Sequence, residues 1–253
     1  MDIIRTLRVC TYNIHKGFSQ FNRRLVIHEL RDRLRSLEVD VVFLQEVQGL
    51  HLEHQRRHSD WPEHPQHEFL AEEVWHETAY GQNAIYDHGH HGNAILSRFP
   101  ILSAHNQDVS DHRFERRGLL HCEIEVPGLC APVHCVCVHL GLMAGSRRRQ
   151  MQHLAARMEQ LAPPQSPLII AGDFNDWQNR ADEVLARRLH LQEVFHADRG
   201  RIARSFPSRL PMLTLDRIYV RNFAVREAQV HSGLPWSRIS DHAALTAELE
   251  IRW

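Results

Sequence analysis

Residues 168–177 read L-I-I-A-G-D-F-N-D-W, and this stretch guides the interpretation of the whole chain. The apolar residues 168–171 have the length of a buried strand, which Gly172 ends. Asp173 and Asn175 follow two positions apart, so on an extended backbone their side chains point to the same side. The pattern predicts a strand that presents a carboxylate and a carboxamide at a sheet edge. A simple turn is the alternative, because Gly, Asp and Asn are common turn residues.

The composition is that of an ordinary globular protein. The chain has 253 residues, 43% hydrophobic and 24% charged, and α/β domains of this length are often undivided. Lys and Arg total 30 and Asp and Glu total 31, so the formal net charge is −1. Proteins that bind duplex DNA through its phosphates usually carry a basic excess. We therefore predict one domain over residues 1–253 and disfavour non-specific DNA binding.

The five cysteines show no C-x-x-C spacing, and three of them fall within predicted strands. This pattern is typical of reduced thiols in a cytoplasmic protein, not of a disulfide framework. No apolar run approaches the roughly 20 residues of a membrane helix, and no signal peptide is evident at the N-terminus. We expect a soluble, cytoplasmic protein without a transmembrane segment.

Histidine is unusually frequent, with 21 residues in the chain. We interpret most of them as solvent-exposed groups that gain charge between about pH 7 and 6. Residues 87–91 contain His88, His90 and His91, and we predict a loop there beside the functional residues. A zinc site or histidine-rich sensor is the alternative for this cluster.

Two predicted strands near the N-terminus end in polar residues. Residues 8–14 form a strand that places Asn13 near its end, and the apolar residues 41–44 lead to Glu46. Apolar residues at positions 26, 30, 34 and 37 predict an amphipathic helix between the two strands. Because sequential strands are usually neighbours, we expect Asn13 and Glu46 to lie close together.

The later predicted strands carry further polar residues. His139 lies at the end of the strand 134–140, where a single histidine is more often structural than catalytic. Asp216, in the strand 214–220, shares its side with apolar residues, and a carboxylate on such a face needs a partner. The pair Asp241 and His242 precedes the last strand.

The order of elements favours mixed sheets. Strands are frequent and helices few, which argues against a regularly alternating parallel α/β fold. Residues 50–92 are polar and predict a loop with one short helix near 68–76, whereas residues 118–126 alternate as a half-buried antiparallel strand. The helix predicted from residue 147 onwards opens with three arginines, which we interpret as a solvated face. Two mixed sheets with helices outside fit these elements best.

The polar residues at the strand ends share one chemistry. They are Asn13, Glu46, His139, Asp173, Asn175, Asp216, Asp241 and His242. Carboxylates and amides are the ligands of a hard cation such as Mg²⁺ or Mn²⁺. Histidines beside carboxylates supply proton donors and cations. Together these groups suit the cleavage of a phosphate ester by water.

Short sequence blocks spread over nearly the whole chain carry a family resemblance. They are T-Y-N-I-H-K-G (11–17), F-L-Q-E-V (43–47), G-N-A-I-L-S-R (92–98), V-H-L (138–140), G-D-F-N (172–175), L-D-R-I-Y-V (215–220) and S-D-H (240–242). In content and order they resemble the endonuclease/exonuclease/phosphatase superfamily, and N-I-H-K-G-F with H-H-G-N-A resembles a small bacterial branch of it. The resemblance implies an α/β (α+β) fold, a four-layered α-β-β-α sandwich of two mixed sheets packed face to face with helices outside, forming a single catalytic domain.

The resemblance also implies a metal site and substrate contacts. Glu46 would hold the Mg²⁺ or Mn²⁺ ion, with Asn13 and Asp241 in or near its coordination shell. The ion would bind a phosphoryl oxygen and offset its developing charge. Two further positions would contact the phosphate: Asn93 and one of Arg116 or Arg117.

The remaining roles implied by the resemblance are catalytic. Asp173 would position or deprotonate the attacking water, and Asn175 would donate to the phosphate. His242, oriented by Asp216, would stabilise the pentavalent transition state. His139 matches a histidine of DNase I-like and sphingomyelinase-like members, where AP endonuclease-like members have tyrosine, so cleavage at abasic sites ranks low. The acid that pairs with His139 stays open.

We therefore expect a divalent-metal-dependent phosphoesterase, more in keeping with a phosphodiesterase than with a phosphomonoesterase. The substrate would be a phosphate ester of a small molecule, a lipid head group or a nucleic acid, and no protein partner is implied. The alternatives are a nuclease acting on DNA or RNA and a non-enzymatic phosphate-binding protein on a decayed hydrolase scaffold. A lipid phosphodiesterase would expose apolar loops near the site, whereas we interpret Trp177 and Trp236 as buried anchors.

Overall fold

The structure contains twelve described strands and six described helices. A computed structural model describes residues 6–20, 23–112 and 115–251. The strands are β1 Thr6–Asn13, β2 Val41–His51, β3 Glu77–Tyr86, β4 Gly89–Ser97, β5 Ile101–Asp108, β6 Gly118–Ile124, β7 Val133–His139, β8 Leu168–Asp173, β9 Gln192–Glu193, β10 Asp216–Arg221, β11 Phe223–His231 and β12 Ala244–Ile251. The helices are α1 Ile27–Ser36, α2 Leu52–Arg57, α3 Gln66–Ala71, α4 Ala144–Leu161, α5 Arg187–Leu189 and α6 Val194–Arg199. Short 3₁₀ turns form at His15–Gly17 and Trp236–Arg238, and a π-helical turn at Asp182–Ala186 precedes α5.

The strands form two mixed six-stranded sheets. The first sheet has the order β11-β12-β1-β2-β4-β3, and the second has the order β5-β6-β7-β8-β10-β9. In each sheet one central pair of described strands is parallel, β1 with β2 and β7 with β8, and the others are antiparallel. Parallel strands need a crossover connection, which α1 supplies in the first sheet and α4 in the second.

Three apolar clusters separate the layers. The inner faces of the sheets pack on each other through side chains such as Phe43 and Ile169. Leu30 of α1 covers the outer face of the first sheet, and Leu154 of α4 covers the outer face of the second. The structure is therefore a four-layered α-β-β-α sandwich, which confirms the fold class expected from the sequence.

The strand alternation carries polar side chains to the open edge of the space between the sheets. Because side chains alternate along a strand, Asp173 shares the inner face with Ile169 and Ala171, and Asp216 shares it with Ile218. The two parallel pairs end together here, since Asn13 Nδ2 donates to Asp173 Oδ2 at 3.1 Å. The fold thus brings residues far apart in sequence to one edge.

Several local predictions were wrong. Residues 50–92, expected to be mostly loop, contain α2, α3, β3 and the start of β4. Arg147, expected in a solvated face, is 2% exposed, and its guanidinium lies 4.6 Å from the centre of the Trp177 ring. Trp177 is 44% exposed instead of buried, whereas Trp236 is buried as expected.

Two further features of the described residues bear on the sequence expectations. None of the described helices combines the length and apolar character needed to cross a membrane. All five cysteines are unpaired thiols, of which Cys130 alone is exposed.

We expect Gly172→Ala to lower the free energy of unfolding by about 2–4 kcal/mol. Gly172 has φ +148°, and a Cβ atom there would lie 1.9 Å from the backbone oxygen of Val138 on the neighbouring strand. Gly200→Ala is the matched control, because Gly200 also has a positive φ, +68°, but open space around it. Urea unfolding measures both. Equal losses would show that the close strand contact contributes nothing.

Candidate active site

Asp173 lies at the centre of a buried polar cluster at this edge. Its side chain is almost fully buried. Oδ1 accepts the backbone N–H of Asn175 at 2.9 Å, and Oδ2 accepts from Asn13 Nδ2 at 3.1 Å. The Nε2 atoms of His139 and His242 lie 3.6 and 3.8 Å from Oδ2. The structure therefore places four other predicted residues around the Asp173 carboxylate.

The environment of Asp173 favours proton exchange near neutral pH. Burial raises its pKa, His242 opposes that shift, the Asp216 carboxylate adds to it, and the Asn175 and Asn13 hydrogen bonds oppose it. The result is a pKa of about 7. A group that titrates near the operating pH is suited to general base catalysis.

His242 and Asp216 form a buried pair. His242 Nδ1 lies 2.9 Å from Asp216 Oδ2, and both residues are buried. Burial alone would lower the pKa of His242, but the Asp216 and Asp173 carboxylates and the hydrogen bond to Asp216 raise it to about 10. An imidazolium donates from both ring nitrogens. His242 can therefore donate to Asp216 while its Nε2 side faces Asp173.

His139 has the opposite protonation preference. Burial lowers the pKa of His139 well below its usual value, and the positive charges of Arg117, His242, His91 and Lys16 lower it further. The ring is therefore neutral at pH 7. Its nearby carboxylate in the described structure is Asp173, at 3.6 Å. The neutral His139 and the charged His242 thus both lie next to the Asp173 carboxylate.

Asn175 and Arg117 share one backbone oxygen. Asn175 Nδ2 donates to Leu140 O at 2.9 Å, and Arg117 Nε donates to the same oxygen at 3.1 Å. Asn175 also has a positive φ of 50°. An amide group has two N–H donors, so Asn175 is fixed by one of them and the second suits a phosphate oxygen.

Asn93 is held by the second sheet. Its Nδ2 atom donates to Gly118 O at 3.0 Å and to Cys137 O at 3.4 Å. Its Oδ1 atom is buried without a hydrogen-bond partner among the described residues. In this conformation Asn93 joins β4 to the second sheet, and its contact with phosphate stays a prediction.

The predicted metal ligands flank Asn13. In the sheet register Asn13 pairs with Gln45, the residue before Glu46, and on its other side its backbone oxygen accepts from Ser240 Oγ, next to Asp241. Glu46 has φ 57° within a bulge of β2. Non-glycine residues with this backbone conformation cluster at functional sites.

These groups fit a hard cation by their chemistry. The carboxylates of Glu46 and Asp241 are oxygen donors of the kind that Mg²⁺ and Mn²⁺ prefer. Within the described ranges, the ligand atoms of Asp173, Asp216 and His242 lie within 4.8 Å of one another, and Glu46 and Asp241 are not in that group. Asp216 Oδ1 is also buried without a hydrogen-bond partner in the described part of the chain. The residues present therefore supply the oxygen donors that a hard cation needs.

Three residues near the site received no catalytic role from sequence, although His91 was part of the zinc alternative. His15 and Lys16 both have positive φ, and the His15 N–H donates to Asn13 Oδ1 at 3.1 Å. His91 has a buried Nδ1 atom that no described residue bonds, and burial with the charge of Lys16 lowers its pKa to about 4. The two-residue spacing of His91 and Asn93 was the available signal, because it places both side chains on one strand face.

The histidines of residues 87–91 do not converge. His88 Nε2 lies 3.3 Å from Glu53, and His90 Nδ1 lies 3.0 Å from the Tyr80 hydroxyl. His91 instead lies on the inner strand face, where the charge of Glu46 partly offsets the lowering of the His91 pKa. The segment is part of the β3–β4 hairpin instead of the predicted loop. This geometry gives no support to the zinc alternative.

The four-layered sandwich and its edge of carboxylates, amides and histidines define a hydrolase of the DNase I-like fold. The chain belongs to the Endonuclease/Exonuclease/phosphatase family, whose match covers residues 10–242. This membership confirms the resemblance seen in the sequence blocks.

The relatives support the same assignment. The chain is 45% identical over 249 residues to the protein YbhP of Escherichia coli (strain K12), covering 97% of each chain. A Bacteroides vulgatus endonuclease/exonuclease/phosphatase structure has a TM-score of 0.76 at 16% identity, covering 98% of this chain and 99% of that chain. Humanized D. rerio TDP2 has a TM-score of 0.73 at 17% identity, covering 98% and 100%. At these identities the two structures support the fold.

Proposed function

We propose that the chain is a divalent-metal-dependent phosphodiesterase that cleaves a phosphate ester by in-line attack of water. The observation that carries the proposal is the arrangement of Asp173, with the neutral His139 at 3.6 Å and the charged His242 at 3.8 Å. Family membership supports a phosphoesterase or nuclease in general. The diesterase assignment is the finer step, and its support is His139, which matches a histidine of DNase I-like and sphingomyelinase-like members.

The chain's own residues have distinct tasks in this proposal. Asp173 accepts a proton from the attacking water, for which its pKa of about 7 is suited. As the bond between phosphorus and the ester oxygen breaks, His242, charged and held by Asp216, donates its Nε2 proton to that oxygen, which leaves as an alcohol. Asn175 donates its second N–H to a phosphate oxygen. His139, neutral and buried, forms a hydrogen bond with the same phosphate or with the leaving oxygen.

The cation site belongs to the proposal as well. Glu46 and Asp241, with Asn13 between them, would hold Mg²⁺ or Mn²⁺. When bound, such an ion offsets charge on a phosphoryl oxygen. Asn93 and Arg117 stay predicted phosphate contacts, and a single catalytic domain and a cytoplasmic location stay predictions from the sequence.

Two alternatives remain distinct from this proposal. A nuclease would need a basic groove, and the net charge of −1 does not favour one. A phosphate-binding protein on a decayed scaffold would lack turnover, yet the pKa of Asp173 is placed for proton transfer. A substrate panel separates the three.

We expect the purified protein to hydrolyse bis(p-nitrophenyl) phosphate with Mn²⁺ or Mg²⁺, to stop with excess EDTA, and to resume when the metal is restored. The same conditions applied to DNA, RNA, glycerophosphodiesters, sphingomyelin and inositol phosphates identify the substrate class. Turnover that survives complete chelation would refute the metal dependence, and binding without turnover would favour the decayed scaffold.

Calorimetry tests the proposed cation ligands directly. We expect Glu46→Gln to weaken Mn²⁺ binding at least tenfold, since even the loss of a residue that only orients a metal ligand costs about 10–100-fold in affinity. Glu53→Gln is the matched control, because Glu53 is partly exposed and pairs with His88. Unchanged Mn²⁺ affinity in Glu46→Gln would show that Glu46 is not a ligand and would assign the ion to the Asp173 and Asp216 carboxylates.

A further inference from the structure

A cavity of about 740 Å³ opens beside the catalytic residues. Its walls come from the β3–β4 hairpin, the segment before β6 and the loop after β7. The lining residues that matter here are Ala84, His91, Arg116, Arg117, Leu142 and Met143. We call this cavity the side pocket. None of the roles assigned above uses its apolar wall.

The side pocket adjoins the catalytic residues. Arg117 of its wall and Asn175 of the catalytic cluster donate to the same oxygen, Leu140 O, at 3.1 and 2.9 Å. His91 of its wall lies on β4 two positions before Asn93, so both side chains are on the same face of the strand. A group attached to a phosphate held by Asn175 can therefore extend into the side pocket.

Two adjacent apolar side chains form one wall of the pocket. Leu142 is 58% exposed and Met143 is 62% exposed. Single exposed apolar residues are normal, but this pair is fixed in position. Glu115 Oε1 accepts both the N–H of Leu142 at 2.9 Å and Arg117 Nη2 at 3.0 Å. The apolar wall and the cationic wall are thus tied together by one carboxylate.

The pocket offers three kinds of contact at once. Leu142 and Met143 offer apolar surface, and the positive charges of Arg116 and Arg117 outnumber the negative charge of Glu115, which also lines the pocket. The His91 ring also lines the pocket and adds a polar group beside them. This combination matches a molecule with an apolar chain next to an anionic head. A nucleic acid strand would instead set its charged backbone against the apolar wall.

We propose that the side pocket binds the apolar portion of the alcohol esterified to the phosphate, so that the substrate class is an amphiphilic phosphate ester. The proposal rests on the proposed function for the placement of the phosphate. The apolar chain lies against Leu142 and Met143, and His91 donates to or accepts from an oxygen near the ester. Arg116 favours an anionic head over a neutral one.

Calorimetry with n-alkyl phosphates tests the pocket without turnover. The full chain in Mn²⁺ is titrated with butyl, hexyl and octyl phosphate below their critical micelle concentrations. Burial of a methylene is worth about a two- to fourfold gain in affinity, so octyl phosphate should bind at least about tenfold more tightly than butyl phosphate. Equal affinities along the series would overturn the proposal.

A matched pair of variants locates the effect. The double variant Leu142→Ser, Met143→Ser should flatten the dependence of affinity on chain length. Leu102→Ser is the control, since Leu102 is 56% exposed on β5, outside the side pocket, and should keep the dependence. Thermal unfolding monitors the fold of each variant. A chain-length dependence that survives in the double variant would place the apolar site elsewhere.

Hydrolysis separates this proposal from the proposed function. Alkyl p-nitrophenyl phosphates of the same chain lengths are assayed with Mn²⁺, and kcat/KM should rise with chain length. Hydrolysis that is equally fast for all chains would refute the side pocket and leave the phosphodiesterase standing. Binding that depends on alkyl chain length, without hydrolysis of any diester, would support the side pocket and refute the phosphodiesterase.

Discussion

Asp173→Asn is expected to lower kcat for phosphodiester hydrolysis by about 10²–10⁴-fold, the usual contribution of general acid–base catalysis. The asparagine keeps the size of the side chain and can still accept the backbone N–H of Asn175, which now bonds Oδ1 at 2.9 Å. It cannot take a proton from water. Because the change acts on proton transfer, KM should change much less than kcat. Steady-state kinetics with bis(p-nitrophenyl) phosphate in Mn²⁺ measures both.

Asp176→Asn is the control for this variant. Asp176 lies three residues later, in the loop after β8, and is equally buried, but its Oδ2 accepts the Ala181 N–H at 2.7 Å. An asparagine oxygen can still accept that N–H, so Asp176→Asn should leave kcat within about tenfold. Full activity in Asp173→Asn would remove the proton acceptor from the mechanism. An equal loss in both variants would mean that the loop conformation matters, not the Asp173 carboxylate.

Much of the site could be predicted from sequence because it follows a local rule. Apolar runs that end in a polar residue occur at Asn13, His139 and Asp173, and the strands carrying them end at one edge. Side-chain alternation then fixes which residues face the space between the sheets, as for Asp216 beside Ile218. Such patterns need only neighbouring residues. The face-to-face packing of the two sheets, which brings Asn13 of β1 to Asp173 of β8, is a long-range step, and the family resemblance supplied it.

The features that were missed depend on contacts far along the chain. The strand β5 reads I-L-S-A-H-N-Q-D and is mostly exposed, so its pairing with β6 leaves no apolar alternation to detect. Arg147 is buried because Trp177 and the backbone oxygens of Gly141 and Leu142 surround its guanidinium. Trp177 lies thirty positions later in the sequence. No local pattern reveals that cation–π contact.

The protonation of the two histidines was also beyond the sequence. His139 and His242 are both buried, and burial lowers the pKa of each. The pKa of His242 is raised because the Asp216 carboxylate, 2.9 Å from its Nδ1 atom, and the Asp173 carboxylate outweigh the effect of burial. His139 instead faces the positive charges of Arg117 and His242. The difference between a neutral and a charged ring follows from which groups the fold places around it.

Asp216→Asn should therefore change the pH dependence as well as the rate. In the wild type, kcat should rise as Asp173 ionises with a pKa of about 7 and fall as His242 loses its proton with a pKa of about 10. The Asp216 carboxylate raises both pKa values. Removing its charge lowers both, so the acid limb and the alkaline limb of the profile both move to lower pH. The maximal kcat should also fall by about a hundredfold or more, because His242 loses its charge and orientation.

The direction of the two limbs distinguishes this role from a structural one. A variant that merely loosened the site would lower kcat at all pH values and leave the limbs in place. Asp182→Asn is the matched control. Asp182 accepts a hydrogen bond from the Tyr219 hydroxyl at 2.6 Å, and Tyr219 lies on β10, three residues after Asp216. Its pH profile should keep both limbs. If the alkaline limb of Asp216→Asn stays where the wild type has it, the Asp216 carboxylate does not sustain the charge on His242, and the group that loses its proton at high pH lies elsewhere in the site.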